Sequence, residues 1–94
     1  MKTIVLDSNT AEMNGDTNEV SYAVVVDDDF TLAVSKLENG KTYKLFVESS
    51  DDVTMTVTGY TVNGGSSISV IEGKTPYEIS LWGSTLFFNA AKTP

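Results

Sequence analysis

Apolar and polar residues alternate along several short stretches of the chain, as in β-strands that bury one face. Between residues 53 and 58, three apolar side chains alternate with three threonines, and the same period of two recurs over residues 20–26 and 42–48. No stretch carries apolar residues at helical spacing over three turns. We therefore expect an all-β protein without a helix longer than one turn.

Turn-forming residues separate these stretches. Asn39-Gly40 lies between two alternating runs and predicts a hairpin, because this dipeptide tolerates the positive φ of a two-residue turn. Asn63-Gly64-Gly65 predicts a looser hairpin, and Gly83-Ser84 predicts a two-residue one. Pro76 lacks an N–H, so we expect it to open a strand or to lie on an edge. The strands predicted in this way are 2–6, 20–26, 30–36, 41–48, 53–59, 66–71, 77–82 and 85–90.

Eight short strands joined by tight turns predict a small antiparallel β-sandwich, jelly-roll-like, or a barrel. A chain of 94 residues suffices for one core, so residues 1–94 are expected to form a single domain. Residues 7–19 contain no clear strand, and we expect either an excursion across the sandwich end or an arm that contacts a neighbour. The first strand, with Ile4 and Leu6, is a candidate for addition to a neighbour's sheet.

The last predicted hairpin places two large aromatic side chains on the face away from the core. With a turn at residues 83–84, Trp82 opposes Thr85 and Phe87 opposes Ser80, so the two rings lie on a diagonal within reach of each other. The same alternation turns Phe46 away from the core. The core face of the hairpin is formed by Ile79, Leu81, Leu86 and Phe88.

Three interpretations of the outward aromatic residues remain open. Residues 7–19 or another strand cover them, or they form a subunit interface, or they form a platform on which a sugar ring stacks. Phe46, Trp82 and Phe87, together with Ile4 and Leu6, are therefore the candidate interface residues. Tyr60 and Tyr77 border turns and join either of the last two interpretations, although ordinary packing in the core or its rim is favoured for both.

Composition and charge exclude most catalytic chemistry. The chain has 6 Lys and 13 Asp and Glu, a net charge of −7, and no Arg, His or Cys. Disulfides, thiolate nucleophiles, zinc knuckles and Ser-His-Asp triads are thereby excluded. A glycosidase pair of carboxylates would need a cleft for which the chain has little room. We expect no enzymatic activity and no cofactor, and the negative charge argues against nucleic acid or an anionic membrane as partner.

The densest acidic cluster is Asp27-Asp28-Asp29. Carboxylates in a loop are Ca²⁺ ligands, but this spacing lacks the alternation and the glycine of an EF-hand loop. We expect a solvated turn between two strands, and calcium binding stays open. The apolar run at residues 4–6 is too short for a signal peptide or a membrane span, so we expect neither.

Three segments, residues 40–47, 67–73 and 77–83, share a cadence of strands and turns that resembles small β-rich accessory proteins of tailed-phage virions, namely head-decoration and head-fibre proteins. The resemblance implies a place on a virion made in the host cytoplasm, twofold or threefold assembly, and the major capsid protein or other copies of the chain as partners. It carries over no functional residue. We therefore expect a structural protein that docks on a larger assembly; the alternative is a carbohydrate-binding module or adhesin that binds a glycan through exposed aromatic residues.

Overall fold

The computed structural model describes residues 1–16 and 18–90, and its regular structure is ten β-strands. In chain order, β1 to β10 are Lys2–Ile4, Thr10–Asn14, Ser21–Val26, Phe30–Ser35, Thr42–Ser49, Val53–Thr58, Thr61–Val62, Ser67–Val70, Gly73–Trp82 and Thr85–Ala90. Among the described residues, no helix has the length and apolar character needed to cross a membrane.

The strands form two sheets, and the chain alternates between them up to β9. The six-stranded sheet has the order β1-β3-β5-β9-β10-β7, and the four-stranded sheet has the order β2-β4-β6-β8. Strands β1, β3 and β5 pair in parallel, as do β2, β4 and β6. Lys2 pairs with Tyr22, and Ser21 pairs with Lys44, so successive coils are 20 and 23 residues long (22 − 2 and 44 − 21). The protein is therefore a β-solenoid of about four turns with largely parallel sheets.

The predicted antiparallel sandwich or barrel is therefore wrong, although the protein is all-β. Alternation shows that one face of a strand is buried, but it does not show which strand lies beside it. Asn39-Gly40 does form a turn, but it connects β4 in the four-stranded sheet to β5 in the six-stranded sheet. Asn63-Gly64-Gly65 likewise connects β7 to β8 across the two sheets. Neither turn joins two strands of one hairpin.

The last hairpin is confirmed in its predicted register. Strands β9 and β10 pair antiparallel, with Trp82 opposite Thr85 and Phe87 opposite Ser80. Pro76 lies within β9 rather than at its start, where it pairs with Phe46 of β5. In the described residues the pairing of β9 with β10 begins only at Tyr77. At Pro76, β9 therefore has a described neighbour on one side only, namely β5. A residue without an N–H fits this one-sided part of the strand.

The core lies between the two sheets and is built from the inward residues of nearly every strand. Its largest fully buried side chains are Tyr22, Tyr43, Met13, Leu32, Leu45, Met55, Ile79 and Leu86. Gly59 follows β6 with a φ of 104°, and a Cβ there would overlap the carbonyl oxygen of Val34 in the preceding coil. The close approach of the two backbones therefore requires a glycine at this corner.

Candidate functional site: an exposed aromatic surface

Trp82 and Phe87 lie together on the outer face of the six-stranded sheet, and we call this pair the aromatic surface. Their ring centroids are 6.4 Å apart, with planes inclined at 41°. Trp82 is 77% exposed and Phe87 is 38% exposed. The two-residue turn fixes this diagonal, because residues on the same face of a tight hairpin are held at neighbouring positions.

Hydroxyl groups border the aromatic surface. The register places Thr42 of β5 beside Ser80, and their hydroxyl oxygens are 3.1 Å apart in a hydrogen bond. On the other side of the hairpin, Thr61 of β7 pairs with Thr85. Two aromatic rings in a border of hydroxyl groups have the arrangement of a protein contact with a polar rim, and also of a sugar-binding platform.

The hairpin tip that carries Trp82 is anchored to a neighbouring corner. The side-chain oxygen of Asn39 accepts a hydrogen bond from the Gly83 N–H at 3.0 Å. The Gly40 N–H donates to the Leu81 carbonyl at 2.8 Å. Because the turn is bonded at both of these points, contacts within the chain fix the position of the aromatic surface.

The described part of the chain does not cover the aromatic surface. Of residues 7–19, the stretch Thr10–Asn14 forms β2, which is an edge strand of the opposite sheet. Trp82 is 77% exposed, so the described residues among 7–19 do not shield it, and for these residues the interpretation that they do is wrong. The subunit interface and the sugar platform remain.

Phe46 also faces outward, but it lies apart from the aromatic surface. It is 36% exposed and shares a cross-strand row with Ala23 and Pro76, in a shallow groove of about 400 Å³. The register separates Phe46 from Phe87 by two strands and four residues, or about 17 Å along the sheet. The structure thus brings Trp82 and Phe87 together and leaves Phe46 in a separate apolar patch.

Ile4 and Leu6 lie on the inner side of the protein. Ile4 is 7% exposed and belongs to the core, and Leu6 is partly buried against it. Strand β1 pairs with β3 on one side and is an edge of the six-stranded sheet on the other. Addition of this edge to a neighbour's sheet stays a prediction, and it would proceed through the backbone rather than through these two side chains.

Tyr60 and Tyr77 pack in the interior rather than on the aromatic surface. Tyr60 is partly buried against the core, and its hydroxyl oxygen accepts a hydrogen bond from the Leu37 N–H at 3.1 Å. The Tyr77 ring is in the core and meets Phe88 edge-on, with centroids 6.3 Å apart. Burial raises the pKa of the Tyr77 hydroxyl above its ordinary value. This is the ordinary packing that the sequence favoured.

The acidic residues at one corner of the solenoid bond successive coils to each other. A carboxylate oxygen of Asp29 accepts a hydrogen bond from the Thr54 N–H at 2.8 Å. One coil further, Asp52 accepts from the Glu72 N–H at 2.9 Å. In the described ranges, no group of three or more His, Cys, Asp or Glu side chains is arranged to hold a metal ion. Asp29, which belongs to the predicted acidic turn, thus accepts a hydrogen bond from the backbone of the next coil.

Comparison of the chain with protein-family models, with curated proteins and with solved structures gave no match.

Proposed function

We propose that the protein is a non-enzymatic structural protein that docks through its aromatic surface, with other copies of the same chain as its first partners. The observation that carries this proposal is the exposure of Trp82, a large apolar side chain held in place on a rigid hairpin. Trp is among the residues most enriched at the centres of protein interfaces, where its burial contributes most to affinity.

The resemblance to head-decoration and head-fibre proteins extends this proposal to a virion surface with the major capsid protein as a further partner. A decoration protein works as a repeated array, so that a modest contact of about 800 Å² per partner is multiplied by symmetry. The net charge of −7 suits such a role, because it keeps the free subunit soluble before it assembles.

Light scattering over a range of protein concentrations tests this proposal. We expect the wild-type protein to associate and the Trp82→Ser variant to remain monomeric. Val25→Ser is the matched control, since Val25 is an exposed apolar residue on the same sheet away from the aromatic surface. Because Trp82 is the only tryptophan, its fluorescence should shift to shorter wavelength as the protein associates. A wild-type protein that stays monomeric at every concentration would contradict the proposal.

A carbohydrate-binding role is the second candidate, and the hydroxyl border of the aromatic surface favours it. In that case Trp82 stacks on a pyranose ring, while neighbouring hydroxyl groups bond the sugar. A glycan array separates the two roles: a monomeric protein that binds a glycan and loses it in Trp82→Ser supports the second role and excludes the first.

A further inference from the structure

The two sheets of the solenoid are unequal, and this leaves a groove at one end. In each of the first three coils the chain passes from one sheet to the other, from β1 to β2, from β3 to β4 and from β5 to β6, so strands at the same place in the two orders follow each other. At the fourth place, β8 is likewise followed directly by β9. Beyond this fourth place the six-stranded sheet has two more strands, β10 and β7, and the four-stranded sheet has none among the described strands, so we infer that β10 and β7 extend past β8. A groove of about 340 Å³ lies there, lined by Ser67, Ile68, Ser69, Tyr77, Phe88 and Ala90 among others; we call it the end groove.

The free edge of β8 turns two residues of unbonded backbone toward the end groove. The Val57 N–H donates to the Ser66 carbonyl at 2.8 Å, in line with the antiparallel register of β6 and β8. Every second residue of an antiparallel strand bonds the same neighbour, so Ser66, Ile68 and Val70 face β6. The N–H and C=O groups of Ser67 and Ser69 therefore point away from β6, where no described strand pairs with them.

The Tyr77 hydroxyl is a further polar group at the end groove without a hydrogen-bond partner among the described residues. The hydroxyl groups of Tyr22, Tyr43 and Tyr60 all bond to backbone, at 3.0, 2.9 and 3.1 Å. Tyr77 is only 5% exposed, yet its hydroxyl has no hydrogen-bond partner among the described residues. No buried side-chain oxygen or nitrogen in the described part of the chain lacks a partner, so this hydroxyl reaches solvent in the groove that Tyr77 lines. A tyrosine hydroxyl is protonated at neutral pH and can donate a hydrogen bond, and burial raises its pKa further.

A second folded copy of the chain that pairs its own β8 with this edge does not fit. A twofold axis that paired β8 with the β8 of another copy would also bring together the overhanging strands β10 and β7 of both copies. These strands extend past β8 by two strand spacings, or about 10 Å, and would occupy the same space. A single extended segment meets no such obstacle, because it needs the width of one strand only.

We propose that the end groove binds one extended segment of a partner protein, which adds to β8 as a fifth strand of the four-stranded sheet. Its main chain pairs with Ser67 and Ser69, and its inward side chains pack on Phe88 and Ile68. One of its carbonyl groups accepts the hydrogen bond of the Tyr77 hydroxyl. The groove is lined by uncharged residues while the chain carries −7, so the fitting segment has β-branched residues at its centre and Lys or Arg beside them.

The test uses the full chain and an acetylated heptapeptide of alternating valine and threonine with a lysine at each end. Backbone NMR spectra recorded with millimolar peptide should show shifts at Ser67, Ser69 and Phe88, and slower hydrogen exchange at the first two amides. Ser69→Pro removes an N–H from the free edge without touching the bonds to β6, and it should lower the affinity about tenfold. Ser69→Thr keeps the N–H and should bind as the wild type does.

Each alternative has its own outcome. Slow exchange of the Ser67 and Ser69 amides without peptide would show that the edge is already paired, by residues 91–94 or by another copy, and would overturn the proposal. So would an absence of binding at millimolar peptide, equal binding by Ser69→Pro, or shifts confined to Trp82 and Phe87. Because Trp82→Ser leaves the end groove intact, the proposed function and this proposal fail independently.

Discussion

Replacing Gly59 by alanine tests the contact between successive coils. Gly59 has a φ of 104°, where an L-residue costs about 1–2 kcal/mol. The new Cβ also overlaps the Val34 carbonyl oxygen, which is backbone of the preceding coil and cannot rotate away. Forcing the coils apart adds about 1–3 kcal/mol, as overpacking does in other cores. We therefore expect Gly59→Ala to lower the free energy of unfolding by about 2–5 kcal/mol.

Gly64→Ala is the matched control. Gly64 has a similar φ of 88°, but a Cβ there meets no atom within 4 Å. Gly64→Ala introduces the backbone strain alone, so the difference between the two losses of unfolding free energy measures the contact of residue 59 with Val34. Urea denaturation with a common m-value gives both free energies of unfolding. Equal losses for the two variants would refute the close approach of the coils at this corner.

Three further outcomes follow from the hydrogen bonds and exposures. Asp29→Ala removes the hydrogen bond to the Thr54 N–H, a loss of about 1 kcal/mol that should lower the melting temperature by about 4–8 °C. Asp29→Asn keeps an acceptor oxygen and should lower the melting temperature by less. Tyr77→Phe removes a hydroxyl without a bonding partner among the described residues and should change stability by less than about 0.5 kcal/mol at neutral pH. Trp82→Ser should also leave stability within about 0.5 kcal/mol, because the side chain is mostly exposed.

The raised pKa of Tyr77 adds a pH dependence to the second of these outcomes. From its ordinary value of 10.0 up to the raised pKa, the unfolded chain releases the phenolic proton and the folded chain keeps it. The stabilisation is complete below pH 10.0 and is lost as the pH rises from there through the raised pKa of the folded state. Stability measured from pH 9 upward should fall less steeply in Tyr77→Phe than in the wild type; parallel curves would contradict the raised pKa of this partly buried hydroxyl.

The sequence predicted strands and faces better than it predicted neighbours. Period-two alternation located β3 to β6 closely, and the Gly83-Ser84 turn fixed the register of β9 and β10, because a two-residue turn leaves one choice of partner. The same signals could not reveal the parallel coils. An Asn-Gly turn permits a reversal within one sheet and a corner between two sheets equally, and only the pairing of residues 20 and 23 positions apart distinguishes them.

For the candidate site, too, some features could be predicted from the sequence and others could not. The diagonal of Trp82 and Phe87 followed from local register, so it could be predicted. The distance of Phe46 from that pair could not, since it depends on β9 lying between β5 and β10. The end groove was also out of reach, because it arises from unequal strand numbers in the two sheets. Strand β2 was missed because Thr10–Asn14 shows only two inward apolar residues, Ala11 and Met13.

The parallel winding of the first coils is the central feature of the fold, and nuclear Overhauser effects between backbones test it most directly. The solenoid predicts contacts of Tyr22 with Leu45 and of Val26 with Ser49, which advance together along β3 and β5. A hairpin at Asn39-Gly40 would instead give backbone contacts between residues 32–36 and 43–47, in opposite directions. Observation of that second set in place of the first would contradict the fold.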